Sequence, residues 1–177
     1  MFITRLANTT DIPVLQQLIA SSVRGLSEGY YSPKQIESSI KYIFGIDTQL
    51  LVNETYYVIE CKNAIVACGG WSKRETLYGG DQHKDIADPL LNPKTDAARI
   101  RAFFVHPAWA RRGIGKMMIT HCENEATKSG FKAMELGATL PGEPLYKAMG
   151  YTSTSNIDVK MPDGVTLKIV KMRKQIN

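Results

Sequence analysis

The sequence has few of the residues that build disulfide frameworks or metal centres. Its three cysteines, Cys61, Cys68 and Cys122, are odd in number and show neither C-x-x-C spacing nor a Cys/His cluster. We therefore expect reduced thiols in or near the core and no metal. No apolar run approaches the roughly eighteen residues of a membrane helix, and the N-terminal stretch lacks a signal-peptide core. A cytoplasmic location without membrane contact is the expectation.

The sequence also lacks a strong charge imbalance. It has 22 Lys and Arg against 17 Asp and Glu, a formal net charge of +5. This mild excess suits a polyanionic ligand, but a dense basic patch interleaved with aromatic residues, typical of nucleic-acid binders, is missing. We expect no nucleic-acid partner. With 177 residues and 44% hydrophobic content, the chain is predicted to fold as a single domain over residues 1–177.

One stretch, VHPAWARRGIGKMM over residues 105–118, has the pattern of an anion site. A strand end and a proline turn precede two arginines and two glycines, and an apolar helical pattern follows. The first N–H groups of a helix beginning here would have no intrahelical partners and would face a bound phosphate. Two familiar phosphate motifs fail on spacing, because Met117 replaces the Ser/Thr of a P-loop and Met118 replaces the third glycine of a dinucleotide fingerprint.

Periodicity and turn residues predict the elements on either side of this stretch. The first half is predicted to hold a strand at 2–6, a helix from 12 to about 24 ended by Gly25, a second helix after Ser32-Pro33, a hairpin of 55–60 with 64–71, a long polar segment at 72–96 and a strand at 98–105. The second half is predicted to hold a helix at 113–128, a strand at 131–139, a short helix from Pro144 and a hairpin of 151–161 with 165–171.

Two local features refine this prediction. Gly69-Gly70 inside a strand indicates a bulge or a close approach of another chain segment. In the strand at 98–105, strict alternation would send Arg99, Arg101, Phe103 and Val105 to one face, unless a bulge intervenes.

The segment RRGIGK after a strand ending VHP resembles motif A of the GNAT superfamily, the acyl-CoA-dependent N-acetyltransferases. Ala110 stands where that motif usually has Gln or Arg. A second segment, LYKAMGY at 145–151, resembles the family's Tyr-bearing short helix followed by Gly and an aromatic residue, and the order of elements matches over essentially the whole chain. The resemblance implies the GNAT fold, an α/β (α+β) class with a mixed, mostly antiparallel sheet of about seven strands flanked by about four helices.

The resemblance also implies a donor site for acetyl-CoA between the fourth and fifth strands. The strand edge at Phe103, Phe104 and Val105 would hold the pantetheine arm, and the amides near Phe104 and Val105 would stabilise the oxyanion. Tyr146 would give a proton to the departing thiolate, and Thr139 would partly replace a family asparagine. The predicted phosphate contacts are Arg111, Arg112, Gly113, Ile114, Gly115 and Lys116.

The sequence gives fewer indications of the residues that bind and deprotonate the amine acceptor. Tyr30 and Tyr31 border the site expected for the amine, and His83 lies in the long polar segment. Arg99 occupies the position where some family members keep a glutamate base. The group that deprotonates the amine is therefore not identified by the sequence. The alternatives are a water chain, the amine's own acid–base equilibrium, or one of the side chains Glu75, Asp81, His83 and Asp85. Arg99 or Arg101, if it entered the cleft, would favour an acceptor with a carboxylate or phosphate.

The predicted activity is direct transfer of an acetyl group from acetyl-CoA to an amine in a ternary complex. A small-molecule acceptor is favoured over a protein. The alternative is an acyl-CoA-binding sensor with weak catalysis, which the missing base and Ala110 favour and Tyr146 opposes. A homodimer through the last strands is expected because such dimers are common in the family.

Overall fold

The computed structural model describes residues 1–84 and 87–177. These residues form seven strands and five α-helices. The strands are β1 (Ile3–Leu6), β2 (Tyr56–Cys61), β3 (Ala64–Ser72), β4 (Ala98–Val105), β5 (Ala133–Thr139), β6 (Thr152–Lys160) and β7 (Thr166–Gln175). The helices are α1 (Ile12–Ser27), α2 (Pro33–Tyr42), α3 (Thr48–Val52), α4 (Ile114–Lys128) and α5 (Glu143–Ala148).

The strands make one mixed sheet in the order β1-β2-β3-β4-β5-β7-β6. All neighbours are antiparallel except β4 and β5, which are parallel. This α/β architecture confirms the predicted fold class. Among the described residues, no helix is both long and apolar enough to cross a membrane.

The parallel pair β4–β5 is paired only at its beginning. Ala98 faces Met134 and Arg99 faces Glu135, and beyond these two pairs the strands are no longer partners. β5 instead pairs along its whole length with β7, and β4 pairs with β3. The sheet therefore opens into a wedge between the second half of β4 and the second half of β5.

A bulge in β4 changes which side chains share a face. Ala102 has a left-handed φ of 49°, and the β3–β4 register shifts between Cys68 and Gly70. Ile100 and, after the bulge, Phe103 pack with the core layer below α4, whereas Ala102 packs with the layer below α1. Side-chain alternation is therefore interrupted within β4, and the reason is a bulge, the stated exception to strict alternation in this strand.

Gly25 lies inside α1 and does not end it, so the prediction that this helix stops at Gly25 was wrong. A Cβ on Gly25 would lie 2.4 Å from Cγ of Pro107. The glycine thus lets α1 approach the turn that follows β4. Because this requirement comes from a residue 82 positions away in sequence (107 − 25), the local pattern could not distinguish it from a C-terminal cap.

Other local predictions are confirmed. The Ser32 side chain accepts a hydrogen bond from the Gln35 amide and caps α2. Lys62 and Asn63 have φ of 50° and 62° and make the tight turn of the β2–β3 hairpin. The five-residue helix α3 was missed, since it is too short to show a helical period; the Asp47 side chain caps it by accepting from the Gln49 amide.

The polar segment between β3 and β4 contains no helix or strand in its described part. It packs against the chain between α2 and α3 through backbone hydrogen bonds, with Gly80 N donating to Ile43 O over 2.7 Å and Asp81 N to Ile46 O over 2.9 Å. The Asp81 carboxylate also accepts from the Thr48 amide. These contacts hold residues 77–80 at the mouth of the wedge.

Candidate active site

A cavity of about 640 Å³ occupies the wedge between β4 and β5. Its walls come from the second half of β4, the end of β5, the C-terminal part of α1, residues 77–80, the turn before α4, and α5. One side opens to the start of α4 and the opposite side to α1 and the 77–80 segment. The cavity therefore joins the two core layers through the sheet.

The start of α4 forms an anion-binding end. Gly113 has a φ of 80° and caps the helix without any side-chain hydrogen bond, so the first N–H groups of α4 are left for a ligand. Gly113, Ile114, Gly115, Lys116 and Arg111 line the cavity. Positive charge from two of these side chains and the helix dipole favours a phosphate here.

Two residues of this turn have other contacts. Arg112 does not line the cavity; its guanidinium lies 4.8 Å from the ring centroid of Trp109, in a cation–π contact. Gly115 has a packing reason as well, since a Cβ there would lie 2.6 Å from Cδ2 of Leu145 on α5. Glycine at this position thus brings α5 close to the start of α4.

The direction of the β4 amides determines which of them face the cavity. His106 N donates to Val66 O over 2.9 Å, and Phe104 is the register partner of Cys68 on β3. Because successive N–H groups of a strand point to opposite edges, the Phe104 amide faces β3, and the Val105 and Phe103 amides face the wedge. An oxyanion contact from the Phe104 amide is therefore not supported by this direction, whereas the Phe103 and Val105 amides can reach a ligand in the wedge.

Tyr146 lies on α5 at the wall of the cavity. Its side chain is 7% exposed, and its ring packs edge-on against those of Phe103 and Tyr151, with centroid distances of 6.4 and 5.8 Å. The hydroxyl makes no hydrogen bond within residues 1–84 and 87–177. Burial raises the pKa of Tyr146 well above its ordinary value. The phenol is therefore protonated at neutral pH and can donate.

Thr139 also lines the cavity, at the end of β5. Its Oγ1 accepts a hydrogen bond of 3.2 Å from the Gly142 amide, which holds the turn into α5. The hydroxyl hydrogen remains available to a ligand carbonyl.

The two tyrosines predicted to contact substrate are placed differently. Tyr30 is 52% exposed and lines the cavity. Tyr31 is buried outside the lining; its hydroxyl donates to Lys168 O over 2.6 Å and accepts from the Leu140 amide over 2.9 Å. Burial raises the pKa of Tyr31 to about 12. Tyr31 thus ties the chain after α1 to β7 and to the end of β5.

Arg99 and Arg101 do not present free charge to the cavity. Arg99 lies outside the lining and pairs with Glu135 at 2.8 Å. Arg101 reaches the lining but is only 2% exposed; it pairs with Asp47 at 2.9 Å and donates to the carbonyls of Thr76 and Gly79. The carboxylate or phosphate recognition expected of these arginines is thus not supported by their contacts.

None of the described cavity-lining residues is an aspartate, glutamate or histidine. Glu75 and Asp81 are exposed, and His83 stacks behind Tyr78 at a centroid distance of 5.1 Å, outside the lining. Asp85, the remaining base candidate, lies outside the described residues.

Three aromatic or apolar wall residues were missed by sequence reasoning. Phe44, Leu77 and Tyr78 line the cavity, and Phe44 packs edge-on against Phe104 at 6.1 Å. They lie in segments without a helical or strand period, and no local pattern marks them. Only the docking of residues 77–80 onto the chain after α2 brings them to the wedge.

The cysteines are all buried and free. Burial raises the pKa of Cys68 to about 12 and also raises that of Cys122. Both therefore remain thiols at neutral pH, which disfavours a covalent acetyl-cysteine route. In the parts of the chain that the structure describes, no group of His, Cys, Asp and Glu could hold a metal ion.

The fold is shared with solved acetyltransferases. A GCN5-related N-acetyltransferase from Rhodopseudomonas palustris superposes with a TM-score of 0.74 at 17% identity, covering 98% of this chain and 95% of that one. PaiA N-acetyltransferase from Thermoplasma acidophilum, solved with coenzyme A, gives 0.65 at 16% identity, covering 99% of both. The putative acetyltransferase YncA from Salmonella typhimurium, solved with acetyl-CoA, gives 0.64 at 13%, covering 100% and 95%.

A comparison with curated proteins finds no match. The sequence profile of the Acetyltransferase (GNAT) family matches residues 21–151. That range contains the wedge between β4 and β5, the start of α4 and the tyrosine-bearing α5. By this match and by its fold, the chain belongs to the GNAT acetyltransferase family.

Proposed function

We propose that this protein transfers an acetyl group directly from acetyl-CoA to a primary amine within a ternary complex. The observation that carries the proposal is the arrangement of the wedge, which has an anion-binding helix start at one end and the unpartnered Tyr146 hydroxyl in its wall. The CoA of the PaiA structure and the acetyl-CoA of the YncA structure, two proteins of the same fold, support the same donor.

The chain's own groups account for binding of the donor. The free N–H groups at the start of α4 and the side chains of Arg111 and Lys116 bind the pyrophosphate. The inner edge of β4 donates the Phe103 and Val105 amides to the pantetheine and thioester carbonyls. Thr139 adds a hydroxyl from the opposite strand.

The transfer needs one proton donor from the protein. A neutral amine attacks the thioester carbon, a C–N bond forms, and the C–S bond breaks as the thiolate leaves. Tyr146 gives its phenolic proton to the thiolate, and the proton that the amide nitrogen must lose returns to the phenolate, so the enzyme ends unchanged. The raised pKa of Tyr146 keeps this proton in place until the thiolate appears.

Deprotonation of the incoming ammonium is assigned to solvent. No aspartate, glutamate or histidine lines the cavity within the described residues. The attacking species is therefore the neutral fraction of the amine present in solution.

The test is thiol release from acetyl-CoA with a panel of amines, comparing the wild type with Tyr146→Phe. The variant keeps the ring that packs against Phe103 and Tyr151 and removes only the hydroxyl. We expect amine-dependent release to fall roughly tenfold or more, within the usual range of acid catalysis. Acetyl-CoA affinity by calorimetry should stay unchanged.

A matched control is Tyr42→Phe, which removes a hydroxyl from α2 outside the cavity. It should release thiol at the wild-type rate. Tight acetyl-CoA binding without release on any amine would reject the transferase and favour the acyl-CoA sensor instead.

Two further properties complete the proposal. We infer a cytoplasmic homodimer, with the second copy beside the last strands, where β6 forms the sheet edge and Thr152 to Asn156 are exposed. Light scattering coupled to size-exclusion chromatography measures the mass directly, and a mass of one chain at micromolar concentration would exclude the dimer.

A further inference from the structure

The acceptor half of the cavity has few charged side chains among its described lining residues. Its wall lies on the α1 side of the sheet and is mostly apolar and aromatic. The wall is formed mainly by Leu26, Tyr30, Phe44, Leu77, Tyr78 and Phe104.

Phe44, Tyr78 and Phe104 of this wall are held in position by contacts within the protein. Phe44 packs edge-on against Phe104, and Tyr78 lies beside β5, where a Cβ on Gly137 would be 3.4 Å from Cβ of Tyr78. The backbone hydrogen bond from Gly80 N to Ile43 O fixes the segment that carries Tyr78. The aromatic walls are therefore part of the folded structure and do not depend on ligand-induced closure.

The charged group on this side, Arg101, belongs to a balanced cluster. Asp47 lies between Arg101 at 2.9 Å and Lys84 at 2.6 Å, and Lys84 also lies 3.5 Å from Asp88. The charges of these two cations and two carboxylates therefore sum to zero. The Nε–H of Arg101 has no partner within the described residues, but it is buried and offers one hydrogen bond without net charge.

Within the described lining, the remaining polar groups beside the apolar wall are neutral. Tyr30 and Tyr78 bring hydroxyls that make no hydrogen bond within residues 1–84 and 87–177. The cations Arg111 and Lys116 belong to the helix start at the donor end. A carboxylate or a second ammonium on the acceptor would lose its hydration here and would gain no partner of opposite charge from the described residues.

We propose, resting on the acetyl transfer above, that the acceptor is a primary amine on an apolar, preferably aromatic body that carries no carboxylate, phosphate or second ammonium. The aromatic wall binds the body of the amine, the hydroxyls of Tyr30 and Tyr78 accommodate small neutral polar substituents, and the amine nitrogen points to the wedge. Amino acids, polyamines and aminoglycosides are excluded by their additional charges.

The experiment compares three amines that differ at one position, namely 2-phenylethylamine, phenylalaninamide and phenylalanine. Phenylalaninamide has the branch of phenylalanine without its charge, which separates steric from electrostatic rejection. We expect kcat/KM, expressed per neutral amine, to be roughly a hundredfold higher for 2-phenylethylamine than for phenylalanine, with phenylalaninamide closer to the former. Hexylamine should likewise exceed spermidine.

A wall variant provides an independent measurement. Tyr30→Ala removes a half-exposed ring, so the fold should tolerate it. We expect KM for 2-phenylethylamine to rise about fivefold, with acetyl-CoA affinity unchanged. Val52→Ala, which truncates a 76% exposed apolar side chain outside the cavity, should leave KM unchanged.

The outcomes separate the two proposals. Faster transfer to phenylalanine or spermidine would overturn the inference on the acceptor and leave the transferase intact. If no amine releases thiol, the transferase fails, and calorimetric titration of the acetyl-CoA-loaded protein with the same three ligands decides the inference by itself. Equal binding of phenylalanine and 2-phenylethylamine, or binding of neither, would overturn it.

Discussion

Arg101 illustrates how a side chain's partners determine its role at the scale of the residue. In sequence it is an arginine on a strand beside the predicted cleft, which suits recognition of an anion. In the structure its guanidinium is already paired with the carboxylate of Asp47, which lies in the turn before α3. Tyr31 is similar, because its hydroxyl is bound by the backbone of Leu140 and Lys168. Both partners are distant in sequence, so composition and spacing could not reveal them.

The absence of a carboxylate or imidazole from the described lining leads to a prediction on pH. Since Tyr146 keeps its proton through and above neutrality, the titrating group should be the amine itself. We expect log(kcat/KM) to rise with a slope of about one per pH unit and to level off at the pKa of the amine. Steady-state rates over the range of enzyme stability measure this profile.

Two amines of different basicity serve as each other's control in that measurement. Benzylamine and 2-phenylethylamine should give profiles displaced by the difference between their pKa values. A shared plateau beginning near neutral pH for both amines would instead reveal a base on the protein.

At the scale of the element, local signals were sufficient where the determinant is itself local. The Ser32 cap, the Lys62-Asn63 turn and the glycines at the start of α4 each act within a few residues, and each was found at its predicted place. Gly25 was misinterpreted because its reason is Pro107, on another element. Phe44, Leu77 and Tyr78 of the acceptor half were missed for the same reason, since distant parts of the chain bring them to the cavity.

Gly25→Ala is a test in which two effects on α1 oppose each other. Alanine in a helix interior is favoured over glycine by about 0.5–1 kcal/mol. Its Cβ would meet Pro107 at 2.4 Å, and such overpacking costs about 1–3 kcal/mol. We expect a net loss of stability in urea unfolding and weaker acetyl-CoA binding, because α1 is pushed from the turn that leads to α4.

Ser21→Ala, at an exposed position of the same helix, is the matched control for this variant. It should be neutral or slightly stabilising and should leave acetyl-CoA binding unchanged. A Gly25→Ala protein at least as stable as the wild type would mean that the contact with Pro107 is relieved at little cost.

At the scale of the whole molecule, the buried cluster around Asp47 joins parts of the chain that are far apart in sequence. Asp47 caps α3, pairs with Arg101 of β4 and accepts from Lys84 in the long segment. Asp47→Ala would leave two buried cations without their shared carboxylate. Removing one partner of a buried pair costs about 3–5 kcal/mol, and we expect a loss of this order in urea unfolding.

An exposed pair gives the comparison. Glu37→Ala breaks the contact of Glu37 with Arg24 on the outer surface, where both side chains are more than half exposed. Its unfolding midpoint should stay within error of the wild type, because solvent screens such pairs. If Asp47→Ala behaved the same way, the cluster would not be what holds the segment in place.

The early end of β4–β5 pairing has a consequence for what this protein can bind. Unpaired strand edges usually lie at the rim of a sheet, where another protein's strand can add to them. Here an unpaired edge faces inward, enclosed by α1, α5 and the segment at 77–80. An extended ligand with amide groups of its own can therefore pair with this edge as a strand would, and the pantetheine arm of the proposed donor has such groups.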